Sequence, residues 1–351
     1  MRQIWITKKG PPEVLTLREL PDPRPGPGTV RVRVAAIGVN FADLMMRMGL
    51  YPDAPRLPAV PGYEVAGTVD AVGAGVPAEQ VGQRVVVVTN FGGYSDTICA
   101  PPAQVYPLPA DVSFPVGAAL AVNYLTAYQM LVAMGGVGAG QRVLIHGIAG
   151  GVGLAALQIC RLHDAVVLGS ASPAKHEFLR SLGVETLLDS RQPRFAAEVK
   201  AATNGHGVDL VCEPRHGQWI KESYRALDRG GRLLLFGFAS AAQGKQPSRL
   251  SAWKTLARVP WLSLNPLSLM NDNKGVAGIN LGRLWDRQEK VTEWMTVLLR
   301  WLAAGRIAPH VDRILPLAEA AAAHHYLHDR LNIGKVVLSP IDVEPGRERE
   351  T

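Results

Sequence analysis

Four glycines, at positions 147, 150, 151 and 153, fall within the seven residues "GIAGGVG", between an apolar run and an alanine-rich stretch of helical spacing. Such a strand-to-helix turn can cradle a pyrophosphate. Gly147 permits the tight turn, Gly150 and Gly151 with Val152 leave backbone N–H groups open to an anion, and Gly153 lets the helix lie close to the strand. The positive end of the helix dipole adds to the attraction. The same glycines can instead let two backbones pack closely with nothing bound. The spacing departs from strict GxGxxG, so context has to decide. A second group follows in "LGSASPAK", where Ser170, Ser172 and Lys175 stand at the end of the next apolar run. An NAD site usually carries an acidic side chain there for the ribose 2′-hydroxyl, and a carboxylate would repel a 2′-phosphate. Small hydroxyl residues leave room for that phosphate and a lysine offers it a charge-assisted bond, which favours NADPH. The alternative is that Lys175 only decorates a solvated helix. A third group, Asn40, Asp43, Arg47 and Tyr51, recurs through the otherwise apolar "NFADLMMRMGLY".

The elements that must position these residues divide the chain in two. Up to about residue 115 it is strand-like and punctuated by Gly and Pro clusters, with "TVRVRVAAIGV", "YEVAGTVDAV" and "QRVVVVTN" as the clearest strands. From about residue 123 an apolar strand, a turn and an amphipathic helix alternate through "RVLIHG", "AVVLGSA", "TLLD", "VDLVCE" and "RLLLFGF". Repeated βα units predict an α/β fold with a parallel, doubly wound sheet, and the glycine turn opens the first of them. That context turns the glycine stretch into a dinucleotide site. Residues 240–274 break the rhythm with prolines and two tryptophans and read as an insertion or flap before "GVAGINLG" resumes as a last strand. A long helix, "DRQEKVTEWMTVLLRWLAAG", then a strand, a helix and a closing strand complete the chain.

Composition narrows the function classes. Apolar residues are 47% and charged residues 19% of 351, enough for a substantial core. The net charge of +7 is spread without a basic block, so a nucleic-acid partner is not expected. Cys99, Cys160 and Cys212 form neither a CxxC pair nor an even disulfide set, which predicts a reducing, cytoplasmic setting. No run reaches the roughly 20 uninterrupted apolar residues of a membrane span, and the start lacks a signal-peptide pattern.

Several motifs in one order carry a resemblance over nearly the whole chain: "AAIGVNFADLMMRMGLYP", "PAVPGYEVAGTV", "VGQRVVV", "GGYSDTICAP", "GAALAVNYLTAYQML", the glycine turn, "GGRLLLFG" and "NIGKVVLSP". With them the chain resembles the zinc-independent medium-chain dehydrogenase/reductases of the quinone oxidoreductase (zeta-crystallin-like) group. It is most similar to the vesicle amine transport protein-like branch. The resemblance implies a β-rich GroES-like substrate domain at 1–122, completed by 306–351, and a Rossmann cofactor domain at 123–305, with the active-site cleft between them. It implies NADPH as cofactor, a quinone or α,β-unsaturated carbonyl as substrate, and a homodimer. Asn40 and Tyr51 become candidates for holding the substrate oxygen; the plainer readings are a loop tie for Asn40 and turn packing before Pro52 for Tyr51. Asn123 and Thr126 match positions near the nicotinamide ribose and carboxamide, and Phe236 and Gly237 match a loop beside the cofactor. Helix-start and strand-end roles are the alternatives. Gly334 and Lys335 match a pair that contacts the cofactor, and Ser190 replaces a frequent phosphate-facing tyrosine.

The zinc ligands of related dehydrogenases are missing: Asn40 and Asp43 stand at the first zinc motif, and Gly62, Tyr63 and Glu64 at the second. Glu64 then reads as structural, and no metal is expected. A quinone or enone carbonyl stabilises the developing negative charge itself, so hydride transfer can proceed without a Lewis acid. The stretch "VCEPRHG" departs from the resembled pattern and reads as a surface loop, and His324 and His328 read as a solvated helix face rather than a metal pair. Two further function classes stay open, an enoyl-thioester reductase and a non-catalytic, membrane-peripheral cofactor binder suggested by the 240–274 segment.

Overall fold

In the computed structural model, residues 1–237 and 266–341 are described. Seven strands come first: β1 (Arg2–Ile6), β2 (Leu15–Glu19), β3 (Val30–Val39), β4 (Glu64–Val72), β5 (Arg84–Val88), β6 (Thr97–Ala100) and β7 (Val105–Pro107). Helix α1 (Phe41–Met48) follows β3 and α2 (Phe114–Tyr128) follows β7. The next stretch alternates β8 (Arg142–His146), α3 (Gly151–Leu162), β9 (Val166–Ala171), α4 (His176–Ser181), β10 (Thr186–Asp189), α5 (Ala196–Ala202), β11 (Val208–Glu213), α6 (Gln218–Ala226) and β12 (Leu227–Phe236). After it come α7 (Pro266–Asp272), β13 (Gly275–Ile279), α8 (Gln288–Ala303), β14 (Val311–Pro316), α9 (Ala320–His328) and β15 (Lys335–Ser339).

Among the described residues, 1–122 with 282–341 form one compact unit and 123–237 with 266–281 the other. In the first, a seven-stranded sheet runs β14-β15-β3-β4-β5-β7, with β6 also on β3. The alternation of Val30, Val32 and Val34 in β3 sends one face of the strand into a valine-rich core shared with β4, β5 and β15. β15 pairs antiparallel with β3, with Val336 opposite Val39, so the end of the chain completes the sheet begun near its start. The family resemblance extends the cofactor domain to residue 305, but α8 groups with the first unit. The Gln288 amide donates to the Ala103 carbonyl and the Tyr106 hydroxyl, both at 2.8 Å, and that hydroxyl lies 3.3 Å from the hydroxyl of Thr292.

In the second unit six strands, all parallel, run β10-β9-β8-β11-β12-β13. This is the doubly wound order expected of successive βα units, and its direction of winding reverses between β8 and β11. β12 starts at Leu227, earlier than "RLLLFGF" predicts, because Val208 already pairs with Leu227 before a register irregularity. Most of the 240–274 flap lies outside the described residues. One helix among the described residues, 114–134, is long and apolar enough to cross a membrane by length and composition, but most of its apolar stretch is buried inside the protein.

Candidate active site

In the first unit the polar residues of "NFADLMMRMGLY" meet a buried network. Asn40 follows β3 and caps α1. The Asp43 carboxylate, one turn on, accepts the backbone N–H of Asn40 at 2.8 Å and that of Gly62 at 3.0 Å. The register of the sheet brings the start of β15 beside the end of β3, and the start of β4 beside Gly38. Lys335 therefore reaches Asn40 and Glu64. Its ammonium donates to Asn40 Oδ1 at 2.7 Å and to the Glu64 carboxylate. Asn40 Nδ2 donates to Glu64 Oε1 at 3.0 Å and more weakly to the Gly38 carbonyl at 3.4 Å, and the Val122 N–H donates to Glu64 Oε2 at 2.7 Å. A Cβ at position 38 would lie 2.6 Å from the Glu64 carboxylate and 2.4 Å from the Ala118 carbonyl, so only glycine leaves room for this arrangement.

The network continues inward. The Tyr94 hydroxyl donates to Asp43 Oδ2 at 3.1 Å and lies 3.1 Å from His324 Nε2. With the hydroxyl proton directed at the carboxylate, His324 donates from Nε2 and its Nδ1 is a bare acceptor, in keeping with the lack of a partner for that atom. Burial pushes Asp43 up to about 7, against the pull of its N–H donors and of Lys335. Burial likewise pushes His324 well below its ordinary value, so it is neutral. Arg47, also fully buried, donates to the Gly10 carbonyl at 2.6 Å and is pushed down to about 10 by the same desolvation.

Tyr51 stands apart from this chain of bonds. Its ring meets Tyr63 at 6.1 Å and Phe91 edge-on at 6.3 Å, at the margin of a small apolar cluster. Burial raises its pKa and keeps the hydroxyl protonated, a state suited to donation. The structure therefore separates the two residues expected to hold the substrate oxygen: Tyr51 is half-buried, whereas the Asn40 amide is taken up by Lys335, Glu64 and Gly38. Lys335 was expected at the cofactor. Its ammonium is instead committed to Asn40 and Glu64, because the β3–β15 pairing draws it into the sheet.

In the second unit the glycine turn links β8 to α3. Gly147 is left-handed, with φ of 66°, and the N–H groups of Gly147 and Ile148 are held by the Ser170 carbonyl at 2.9 and 3.3 Å. A Cβ at Gly153 would lie 2.4 Å from the Gly147 carbonyl oxygen, so helix and turn touch through backbone, and one at Gly151 would lie 2.4 Å from the side-chain amide of Asn123. No atom lies within 4 Å of a Cβ placed on Gly147. Gly150 caps α3, and the first N–H groups of a helix, here those of Gly151 and Val152, have no intrahelical partner. This backbone-only cradle at a helix start fits a pyrophosphate.

Asn123 thus lies against the turn, with Thr126 one helical turn on in α2. Ser170 is buried at the end of β9 and its backbone carbonyl holds the turn. Ser172 and Lys175 are partly exposed at the short turn after β9, and Ser190 is partly exposed just beyond β10. Phe236 ends β12 and Gly237 follows it in a left-handed conformation with φ of 69°.

"VCEPRHG" is no surface loop. Glu213 and Arg215 are both buried: Glu213 accepts Arg215 Nε at 2.8 Å, Arg215 Nη2 at 3.1 Å and the Ser223 hydroxyl at 2.7 Å. His324 is likewise buried rather than on a solvated face, and among the described residues no group of three His, Cys, Asp or Glu could hold a metal ion. The residues the sequence analysis passed over, Tyr94, His146 and Ser223, carry no local signal. Tyr94 meets His324 across 230 positions, and His146 meets Ser223 across 77.

Comparison with known proteins agrees with this architecture. Residues 26–110 match the alcohol dehydrogenase GroES-like domain and residues 182–338 match the zinc-binding dehydrogenase family. A synaptic vesicle membrane protein VAT-1 homolog of Rattus norvegicus is 38% identical, over 100% of this chain and 86% of that protein. A quinone oxidoreductase of Rattus norvegicus is 30% identical over 96% of this chain and 97% of its own length. Among solved structures, a mycobacterial protein complexed with NADPH superimposes with TM-score 0.84 at 32% identity, covering 97% of this chain and 100% of that one. The CurK enoyl reductase superimposes with TM-score 0.82 at 28% identity, covering 96% and 98%. The parallel sheet with its glycine turn, the GroES-like unit built from both chain ends and these similarities make this chain a member of the medium-chain dehydrogenase/reductase superfamily of oxidoreductases, in its VAT-1 branch.

Proposed function

We propose that this protein is an NADPH-dependent reductase of quinones or α,β-unsaturated carbonyl compounds that works without a metal ion. The observation that carries the reading is the backbone-only cradle at 147–153, where side chains are excluded at Gly151 and Gly153 and the Gly147 side is open. When bound, the dinucleotide supplies the hydride. The chain's own residues do the rest. The start of α3 binds the pyrophosphate; Asn123, Thr126, Phe236 and Gly237 serve the nicotinamide end; and Ser172, Lys175 and Ser190 serve the adenosine end. Tyr51 orients the substrate oxygen and holds a proton for it, its hydroxyl kept protonated by burial. Asn40, Glu64 and Lys335 act at one remove, by fixing α1, which leads to Tyr51. The similarity to a quinone oxidoreductase and to a protein complexed with NADPH supports this assignment.

A second reading, reduction of an enoyl thioester, is favoured by the similarity to an enoyl reductase. Cofactor oxidation by the purified protein, followed with NADPH and NADH against a quinone, a small enone and an enoyl-CoA, separates the two. Turnover of the quinone or enone with NADPH is expected. Turnover of the thioester alone would favour the second reading, and no oxidation with any acceptor would overturn both in favour of a non-catalytic cofactor binder. We further infer a cytoplasmic homodimer, a reading supported by three free cysteines and by β13 as the edge strand of its sheet. Light scattering checks the stoichiometry.

A further inference from the structure

The winding of the parallel sheet reverses between β8 and β11, and open α/β sheets bind ligands outside the carboxyl ends of the strands at such a point. The residues that end these two strands are His146 and Glu213, both buried. Glu213 Oε2 lies 3.4 Å from His146 Nε2 and accepts the Ser223 hydroxyl at 2.7 Å. Desolvation pushes His146 down to about 3, so the imidazole is neutral; its Nε2 lies 3.3 Å from the Ser223 hydroxyl, which relays it to the Glu213 carboxylate. On the other side, Arg215 pairs with Glu213 and stacks 3.7 Å over the Trp219 ring, and its Nη1 donates to the Ser190 carbonyl at 3.3 Å.

These bonds close a ring. The Ser190 N–H donates to the Ala171 carbonyl at 2.9 Å, and the neighbouring Ser170 carbonyl holds the N–H groups of Gly147 and Ile148. Gly147 adjoins His146, which returns to Glu213 through the Ser223 hydroxyl. Four strand ends, those of β8, β9, β10 and β11, are thereby tied into one circuit at the carboxyl edge of the sheet. Arg215 supplies the link between Glu213 and the Ser190 segment. A buried ion pair is a poor stabiliser, because removing two charges from water costs about as much as their attraction returns, and apolar residues of similar volume do as well. Its use here therefore calls for a geometric reason.

We propose that Glu213 and Arg215 are positioning residues for the dinucleotide, holding the glycine turn and the Ser190 segment at a fixed spacing so that both ends of the cofactor's phosphate-bearing half are met at once. The inference rests on the reading of 147–153 as the pyrophosphate turn. Arg215→Met keeps length and packing on Trp219 but drops the bonds to Glu213 and Ser190, while Glu213→Gln removes the charge. Titration of the folded proteins with NADPH and with NADH is expected to show dissociation constants raised by roughly tenfold to a hundredfold, the scale of a small misplacement. Both cofactors should lose by a similar factor, and the cofactor KM should rise by more than kcat falls. Ser223→Ala, a smaller change, keeps the test open if the first variants do not fold, with a several-fold loss expected. Unchanged dissociation constants in folded variants, or a fall in kcat alone, would overturn the assignment. Wild-type protein that binds neither dinucleotide would overturn the reading of the turn instead.

Discussion

Lys335 Nζ donates to Asn40 Oδ1 at 2.7 Å, joining the last strand to the start of the first α-helix across 295 positions of sequence. The same ammonium is the counter-charge of Glu64, whose carboxylate is fully buried. Lys335→Met leaves that carboxylate without a cation, and breaking a buried pair by removing one partner costs about 3 to 5 kcal/mol. The double variant Lys335→Met with Glu64→Gln should recover part of the loss. Urea unfolding of the wild type and the two variants measures both; equal stability of the single and double variants would refute the pairing.

Gly153→Ala sets a methyl group 2.4 Å from the Gly147 carbonyl oxygen, a backbone atom that cannot step aside. Overpacking of this kind costs about 1 to 3 kcal/mol and should shift the turn enough to weaken cofactor binding. Gly147→Ala meets no atom and pays only for its left-handed backbone, about 1 to 2 kcal/mol. Thermal melts with and without NADPH should show the larger loss of ligand-induced stabilisation for Gly153→Ala if close packing of turn on helix shapes the cradle.

The buried groups set a pH dependence with opposing parts. His146 and His324 have folded pKa values below the unfolded one, so the unfolded chain binds more protons in acid. Their contribution is fully present above about 6.5 and is lost as pH falls, towards about 3 for His146. Asp43 runs the other way: raised from 3.8 to about 7, it costs stability as pH rises across that window. Asp43→Asn should therefore steepen the acid loss between about pH 4 and 7, and His146→Asn should flatten it. Unfolding midpoints taken across that range decide; an unchanged slope in either variant contradicts the assigned protonation states.

Tyr51→Phe removes a hydroxyl that no hydrogen bond of the buried network requires. A group that donates a proton in the transition state contributes about 10² to 10⁴ in rate, so kcat should fall by at least about a hundredfold while the NADPH dissociation constant barely changes. Unchanged turnover would return Tyr51 to a packing role beside Tyr63 and Phe91.

Lys175→Glu replaces a cation at the turn after β9 with an anion. NADPH should lose about 1.5 to 3 kcal/mol for the charged hydrogen bond alone, with repulsion added, while NADH loses little. This selectivity contrasts with the equal losses expected of Arg215→Met. A wild-type preference for NADH, or equal losses in Lys175→Glu, would overturn the assignment of the 2′-phosphate site.

The local pattern by itself determined the parallel sheet, because each βα unit is written in contiguous residues: an apolar run such as "RVLIH", a glycine turn, and helical spacing. The cradle at 147–153 was legible for the same reason, since backbone conformation and close approach depend on glycine at a few neighbouring positions. What only tertiary structure decided was the partner of each polar side chain. Lys335 and Arg215 look alike in sequence to any exposed cation. The β3–β15 register buries one against Glu64, and the ends of β10 and β11 bury the other between Glu213 and Ser190. His324 reads as one residue of a polar helix face until α9 packs it against Tyr94. Charge pairing and pKa depend on distances across tens to hundreds of residues, and those distances exist only once the sheets have closed.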